Sequence, residues 1–355
     1  MGVAMENTRD ISFGTFNLRN LQIAAGGLRH GKLETEDNWI KKRDWTAQKL
    51  RELDCDVVAF QELWSRDALE AVLEEADLAS TYRPYYVASH GWRDIAVAAL
   101  VRSPWEVVDD PVVHKAMPHD FDLSITDDAS QYSEYEKPDE AIEVTIEQFS
   151  RAVLQLRLKH QSAPEVPQID VFCCHLKSKL PTRVTMDDQA SMHETTVGAA
   201  LATIRRTAEA AALRMIINTL LVNGNSPDSP TPIVVLGDLN DGLHSNTVSI
   251  LTRQPSYRLA LDAQTGRVSK WGLYTAGFLD QLRSFRDVNF SHDHKGVPEI
   301  LDHVLVSDEF YDACKFRSWS FRDMTIWTDH INPFDPAAGT SDHGIVRTRF
   351  DWNPA

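Results

Sequence analysis

Six short stretches hold the residue types that could do chemistry: FNLRN at 16–20, AFQEL at 59–63, FCCHLKSK at 172–179, GDLND at 237–241, ILDH at 300–303 and TSDHG at 340–344. Each sets carboxylates, amides, imidazoles or cations close behind or ahead of an aliphatic run. In IVVLGDLNDG (233–242) alone, a turn is the cheapest explanation, because Gly, Asp and Asn tolerate the backbone angles that end a strand. The other explanation is a buried strand delivering a carboxylate and an amide to the rim of a sheet. Taken together, the residue types suit one kind of reaction. Carboxylates bind a hard divalent cation, an imidazole takes a proton from water near neutrality, and amides and cations face phosphoryl oxygens on which charge grows. That is metal-assisted hydrolysis of a phosphoester.

Such groups need a scaffold that ends many strands at one place. ISFGTFNL (11–18), DVVAFQEL (56–63), IAVAALV (95–101), AVLQLRL (152–158), IDVFCCHL (169–176), IVVLGDL (233–239), LDHVLVS (301–307) and HGIVRTRF (343–350) are rich in β-branched and aromatic residues, several with period two. Helical patterns fill 37–53, 66–79 and 195–222, the last stopping at Asn223–Gly224. No repeat and no linker divides the 355 residues, so one domain with a core over about 10–351 is expected, with excursions at about 105–148, 178–195 and 254–298. Cys173 and Cys174 should point to opposite faces of their strand. None of the four cysteines has zinc spacing, and buried free thiols are expected.

TFNLRN, QELW, CHLKSK, LGDLND, LDHVLVS and TSDHG, in that order, resemble the endonuclease/exonuclease/phosphatase superfamily, the deoxyribonuclease I-like fold, over about 330 residues. The resemblance implies an α+β fold, a four-layer α/β/β/α sandwich of two packed mixed sheets with helices outside. It also implies a phosphoester hydrolase dependent on Mg2+ or Mn2+. By that resemblance Glu62, Asn17 and Asp342 serve the metal. His343 is the general base, oriented by Asp302, while Asp238 and Asn240 position the attacking water and the scissile phosphate. His175 donates to a phosphoryl oxygen, and Arg19, Arg151 and Lys177 contact phosphate. The sequence also departs from the family pattern. Ala96 stands where an acid is usual and Asp94 is displaced, which leaves His175 without an obvious supporting carboxylate. His303 stands where tyrosine is common and is expected to face away from the site. His292 and His294, in SHDHKG, fall in the third excursion, where the alternative to a loop is a second metal pair.

The substrate reading within this class is a nuclease acting on nucleic-acid phosphodiesters. The alternative is a small-molecule or lipid phosphodiesterase of the sphingomyelinase type, which needs an apolar surface loop; WGLYTAGFLDQL (271–282) is the candidate, with packing as its other role. Lys177, Lys179 and Arg183 are equally a phosphate guide and a solvated basic loop. The formal charge is −16, with thirteen acids against two lysines between Trp105 and Gln148. A long basic stripe for polyanions is absent from the sequence. A catalytically dead binding module would lack one of Glu62, Asp238, Asp302 or His343, and all are present. No run of eighteen apolar residues and no basic-plus-apolar leader occurs, so no stable membrane association and a cytoplasmic location are expected. No protein partner can be inferred.

Overall fold

The computed structural model describes residues 8–89, 91, 93–123, 144–184, 191–223, 231–255, 271–284, 289–294, 296–331 and 339–354. The chain opens with β1 (Ile11–Leu21), α1 (Glu36–Leu53), β2 (Val57–Leu63) and α2 (Arg66–Glu75). Next come β3 (Tyr82–Val87), β4 (Ala96–Arg102), β5 (Trp105–Val107), β6 (Val112–Ala116), β7 (Gln148–His160) and β8 (Ile169–His175). The long α3 (Ser191–Asn223) precedes β9 (Ile233–Asp238), α4 (Asn246–Thr252), β10 (Tyr274–Thr275) and α5 (Ala276–Arg283). The chain finishes with β11 (His292–His294), β12 (Val297–Glu299), β13 (Asp302–Val306), β14 (Trp319–Trp327) and β15 (Ile345–Trp352).

One sheet runs β14-β15-β1-β2-β4-β3, and the other β10-β13-β9-β8-β7-β5 with β6 also on β7. Both are mixed: β1 with β2 and β8 with β9 are parallel, and the remaining pairs are antiparallel. Strand faces alternate between two destinations. Phe13, Val57 and Ala99 from one sheet meet Leu154, Val171 and Leu236 from the other in a central core. The opposite face of the first sheet, with Phe16, Val58 and Phe60, lies under Leu50 of α1 and Leu69 of α2. The opposite face of the second, with Phe172 and Val235, lies under Leu213 of α3 and Leu251 of α4. Three apolar interfaces require four layers, which is the expected sandwich. Cys173 belongs to the central core and Cys174 to the α3 interface, so adjacent thiols do face opposite ways; all four cysteines are free and buried.

Helix ends follow ordinary capping chemistry. The Thr35 side chain accepts from Asn38 N at the start of α1, Ser65 does the same for Ala68 N at α2, and Asp54 ends α1 in the left-handed region. The sequence pattern is corrected at the excursions. Residues 105–107 and 112–116 are strands, and 271–299 contains β10, α5 and the β11–β12 hairpin rather than one loop. These strands are two to five residues long, and β6 is almost wholly exposed, so neither length nor alternation marks them. The remaining stretches of the three excursions, 124–143, 185–190, 256–270 and 285–288, lie outside the described residues, as does His90. WGLYTAGFLDQL packs: Leu273, Tyr274, Ala276 and Leu279 are buried.

Candidate active site

Strand register brings the polar clusters together. Within the second sheet, His175 of β8 pairs with Asp238 of β9, and Asp302 of β13 pairs with Asp238 from the other side. Three adjacent strands therefore end level. Across the sandwich, Asn17 of β1 stands beside Gln61 of β2, immediately before Glu62. Both of these strands break register there, between Asn17 and Leu21 and between Phe60 and Leu63. Arg19, Asn20, Glu62 and Asn240 all take positive φ, at 44°, 62°, 60° and 55°. Each such residue costs about 1–3 kcal/mol and persists only where its surroundings impose it. The Trp64 indole of QELW donates to Asn20 Oδ1 at 2.8 Å, and the buried Lys42 ammonium donates to the Arg19 carbonyl, so two side chains pin the bulge of β1. Burial pulls the Lys42 ammonium down to about 8 against the opposing pull of Glu34.

Asp238 is the centre. Asn17 Nδ2 donates to its Oδ2 at 3.1 Å, His175 Nε2 lies 3.5 Å from that oxygen and His343 Nε2 3.9 Å. Its Oδ1 accepts from Asn240 N at 2.8 Å, while Asn240 Nδ2 donates to Leu176 O at 3.1 Å. Burial drives the Asp238 carboxyl up to about 7; the nearby His343 opposes this and Asp302 and Glu62 add to it.

His343 is joined to Asp302 through Nδ1 and Oδ2 at 2.8 Å, both nearly inaccessible to solvent. Burial works against charging this imidazole, but the carboxylates of Asp302 and Asp238 outweigh it and hold its proton affinity well above the usual range. The ordinary alternative for three such groups is a metal trio, since donor atoms of Asp238, Asp302 and His343 lie within 4.8 Å of one another. The direct bond between Asp302 and His343 argues for an oriented imidazole instead, because the Asp302 oxygen that faces the ring is already used. His175 is buried, burial depresses its basicity strongly, and Arg151 and His343 depress it further. Its Nδ1 has no hydrogen-bond partner among the described residues. The displaced acid does not support it: Asp94 Oδ1 accepts from Ile95 N at 2.8 Å and from Arg29 at 3.3 Å.

The Glu62 carboxylate, half-buried, makes no hydrogen bond or ion pair among the described residues. Asp342 is half-exposed, 3.5 Å from Arg19 Nε. Arg151 is buried beside the site and donates to Leu176 O at 3.1 Å. The Lys177 ammonium donates to Ser178 O at 3.0 Å and Leu180 O at 2.9 Å, fastening its own loop. Lys179 is held by Glu299 at 2.7 Å, and Arg183 is exposed. His303 faces away as expected, its Nε2 on the Asp241 carbonyl at 2.8 Å. Among the described residues, His292 and His294 belong to no group of three or more candidate metal ligands. They lie on the β11–β12 hairpin, and the His292 ring stands 4.9 Å from that of His343.

Several supporting residues escape sequence reasoning. Ser291 Oγ donates to Asp302 Oδ2 at 2.7 Å. Ser341 Oγ donates to Asn17 O at 2.7 Å and accepts from His343 N at 3.0 Å, tying the turn before β15 to neighbouring β1 through one hydroxyl. His330 Nε2 meets His343 O at 2.8 Å. Glu209 of α3, fully buried, accepts from Ser150 N, Ser150 Oγ and Lys177 N at 2.6–2.8 Å. Arg206 of the same helix bonds Asp241 at 3.1 Å. For the last two the signal was available: a charge in the apolar stretch of a helix needs a buried partner. Isolated serines carry no such mark.

A buried His–Asp pair thus stands beside a carboxylate cluster on the strand ends of a four-layer sandwich of the deoxyribonuclease I-like class. The chain belongs to the endonuclease/exonuclease/phosphatase family, whose profile matches residues 14–343. Members of this family hydrolyse phosphoester bonds and are generally dependent on a divalent metal. Similar solved structures include truncated TDP2 of Caenorhabditis elegans, with 16% identity, covering 96% of this chain and 97% of that one at a TM-score of 0.54. The human Nocturnin catalytic domain with bound sulfate has 13% identity, covers 98% and 97%, and scores 0.53. A mannosyl-6-phosphatase of Bacteroides thetaiotaomicron has 14% identity, covers 96% and 100%, and scores 0.51. At these identities the likeness establishes the fold. No curated protein matches the sequence. No helix of the described residues is long and apolar enough to cross a membrane.

Proposed function

We propose that this chain is a divalent-metal-dependent phosphodiesterase, a nuclease in the first instance, that hydrolyses its substrate by direct attack of water. The observation that carries this reading is the His343–Asp302 pair at 2.8 Å, with His343 Nε2 open toward Asp238. The donor set fits a hard cation such as Mg2+ or Mn2+. The Glu62 carboxylate has no protein partner among the described residues, and the Asp238 carboxyl, raised chiefly by burial, is raised further by the neighbouring carboxylates of Asp302 and Glu62. Glu62 would hold the ion with Asn17 and Asp342, and the bound ion would polarise the phosphoryl oxygens and offset the carboxylates.

In this scheme His343 Nε2 takes the proton from water, and Asp302 fixes the tautomer by accepting from Nδ1. Asp238 and Asn240 hold the water and the scissile group in line. The orphaned, weakly basic His175 and the Asn17 amide supply neutral donors, and Arg19 and Arg151 balance phosphate charge. A lipid-directed version is disfavoured because the apolar 271–282 segment is buried. A small soluble phosphoester remains the second reading, favoured by the −16 charge, which opposes a long polyanion.

The test is cleavage of supercoiled plasmid, linear DNA and labelled RNA with Mg2+, Mn2+ or EDTA, comparing wild type with His343→Ala and Asp238→Ala. Metal-dependent cutting should fall by about 10²–10⁴ in each variant, the usual worth of a positioned acid–base group. Near-normal turnover in a folded variant would refute the assignment.

A further inference from the structure

Beside Glu62 the structure contains a cavity of about 380 Å3 whose lining does not include His343 or Asp302. That is a fit for a small ligand, since such sites run from about 300 Å3 upward. Glu62, Ile95 and Arg151 line it together with Asn20, Leu28, Arg29, Lys32, Ser178 and Leu180. We infer that this cavity receives the non-scissile end of the substrate, as a nucleotide-sized group that carries a phosphate of its own. The inference rests on the phosphodiesterase reading above and narrows it from polymer interiors to phosphorylated ends.

Charge is the first argument. A chain of net charge −16 gathers three cations here, Arg29, Lys32 and Arg151, against the one carboxylate of Glu62. Lys32 has no ion-pair partner among the described residues. Among the described residues Arg29 pairs with Asp94 alone, across 3.3 Å, with both side chains substantially exposed. Such a pair contributes little, so a phosphate can take the guanidinium over. The second argument is shape. Leu28, Ile95 and Leu180 give aliphatic walls suited to the face of an uncharged ring. Leu180 is 66% exposed, an apolar surface with no packing role of its own.

The third argument is that the walls are already built, which spares the ordering cost of binding. The 22–34 segment is cross-bonded: Ala25 N donates to Glu34 O, Glu34 N to Gly26 O, Leu28 N to Lys32 O and Gln22 Nε2 to Gly27 O, at 2.7–3.0 Å. Across from it, the Lys177 ammonium fastens the Ser178 and Leu180 carbonyls, and Thr182 N donates to Gly198 O within α3. The lysine that the sequence offered as a phosphate ligand thus shapes the pocket wall. A second cavity, of about 400 Å3, lies at the opposite end of the sandwich, but its four arginines, Arg102, Arg322, Arg347 and Arg349, share it with Asp10, Asp54 and Asp56, and among the described residues all but Arg347 are ion-paired, so its excess of cations is smaller.

The test uses the full chain carrying His343→Ala, so that probes are not turned over, and calorimetry in Mg2+. That protein should bind thymidine 3′,5′-bisphosphate about tenfold more tightly than thymidine 5′-monophosphate, the worth of one charge-assisted contact. Adding Arg29→Gln and Lys32→Gln should erase the difference and leave monophosphate affinity in place. Equal affinities before that change, or equal losses for both probes after it, would overturn the proposal. Hydrolysis of bis(p-nitrophenyl) phosphate by the wild type judges the diesterase reading separately. If it is absent while the bisphosphate preference persists, the diesterase reading fails and the pocket stands.

Discussion

At the scale of single residues, Asp238 decides the character of the site. One of its oxygens is approached by Asn17, His175 and His343 together, and burial keeps its proton on to about pH 7. The folded state therefore binds a proton that the unfolded chain releases above 3.8, and stability falls as pH rises through that window. His343, also raised, acts in the same direction: its contribution is complete below the ordinary imidazole range and is lost as pH passes its folded value. A cation competes with these protons. Mg2+ or Mn2+ should accordingly raise the melting temperature more at about pH 8 than at about pH 5.5, and Asp238→Asn should flatten the contrast; thermal melts with and without EDTA decide it. Asp302→Asn keeps the shape but removes the charge that orients and charges His343. Its kcat should fall by about 10²–10⁴ with KM little changed, and its pH–rate profile should shift to lower pH. An unshifted profile would remove Asp302 from the pairing role.

At the scale of elements, the site is a consequence of register. His175, Asp238 and Asp302 are level because β8, β9 and β13 pair residue to residue at their ends. Gly237 makes that close approach possible. Its φ is +147°, and a Cβ there would stand 2.0 Å from the Cys174 carbonyl oxygen of the neighbouring strand. Gly237→Ala should cost at least about 1–3 kcal/mol from backbone strain alone, measurable by urea unfolding, and should impair activity by displacing Asp238; unchanged stability would mean that the strands part freely here. The central strands were legible because β1, β2, β4, β8 and β9 are buried on both faces and read as long apolar runs. β3 and β14 were not, because they are edge strands. Pro84 interrupts the first, which an edge tolerates, and most residues of the second are only half-buried.

At the scale of the whole molecule, an acidic chain presents a local basic cleft. The −16 charge repels a long polyanion, and salt screens that repulsion over roughly 10 Å. Raising ionic strength from low to near-physiological should therefore increase kcat/KM on long DNA or RNA while leaving a small diester nearly unaffected. A steep fall for the polymer would instead reveal an extended phosphate-binding track.

By itself the sequence, through the ordered motifs that resemble the family, implied the four layers, and it placed the candidate site residues in clusters. Periodicity records which faces are buried, and each catalytic residue type sits in a contiguous cluster next to a strand. It could not determine what each cation does, because that depends on neighbours distant along the chain. Lys177 became a loop fastener through the 178–180 carbonyls, and Lys179 met Glu299. Arg29, in a stretch without a motif, came to rest beside Arg151 and Glu62. Ser291 and Ser341 were equally invisible, since a hydroxyl becomes a positioning group only when folding buries it against Asp302 or Asn17. Those assignments depend on distances between separate strands, and only the tertiary structure sets them.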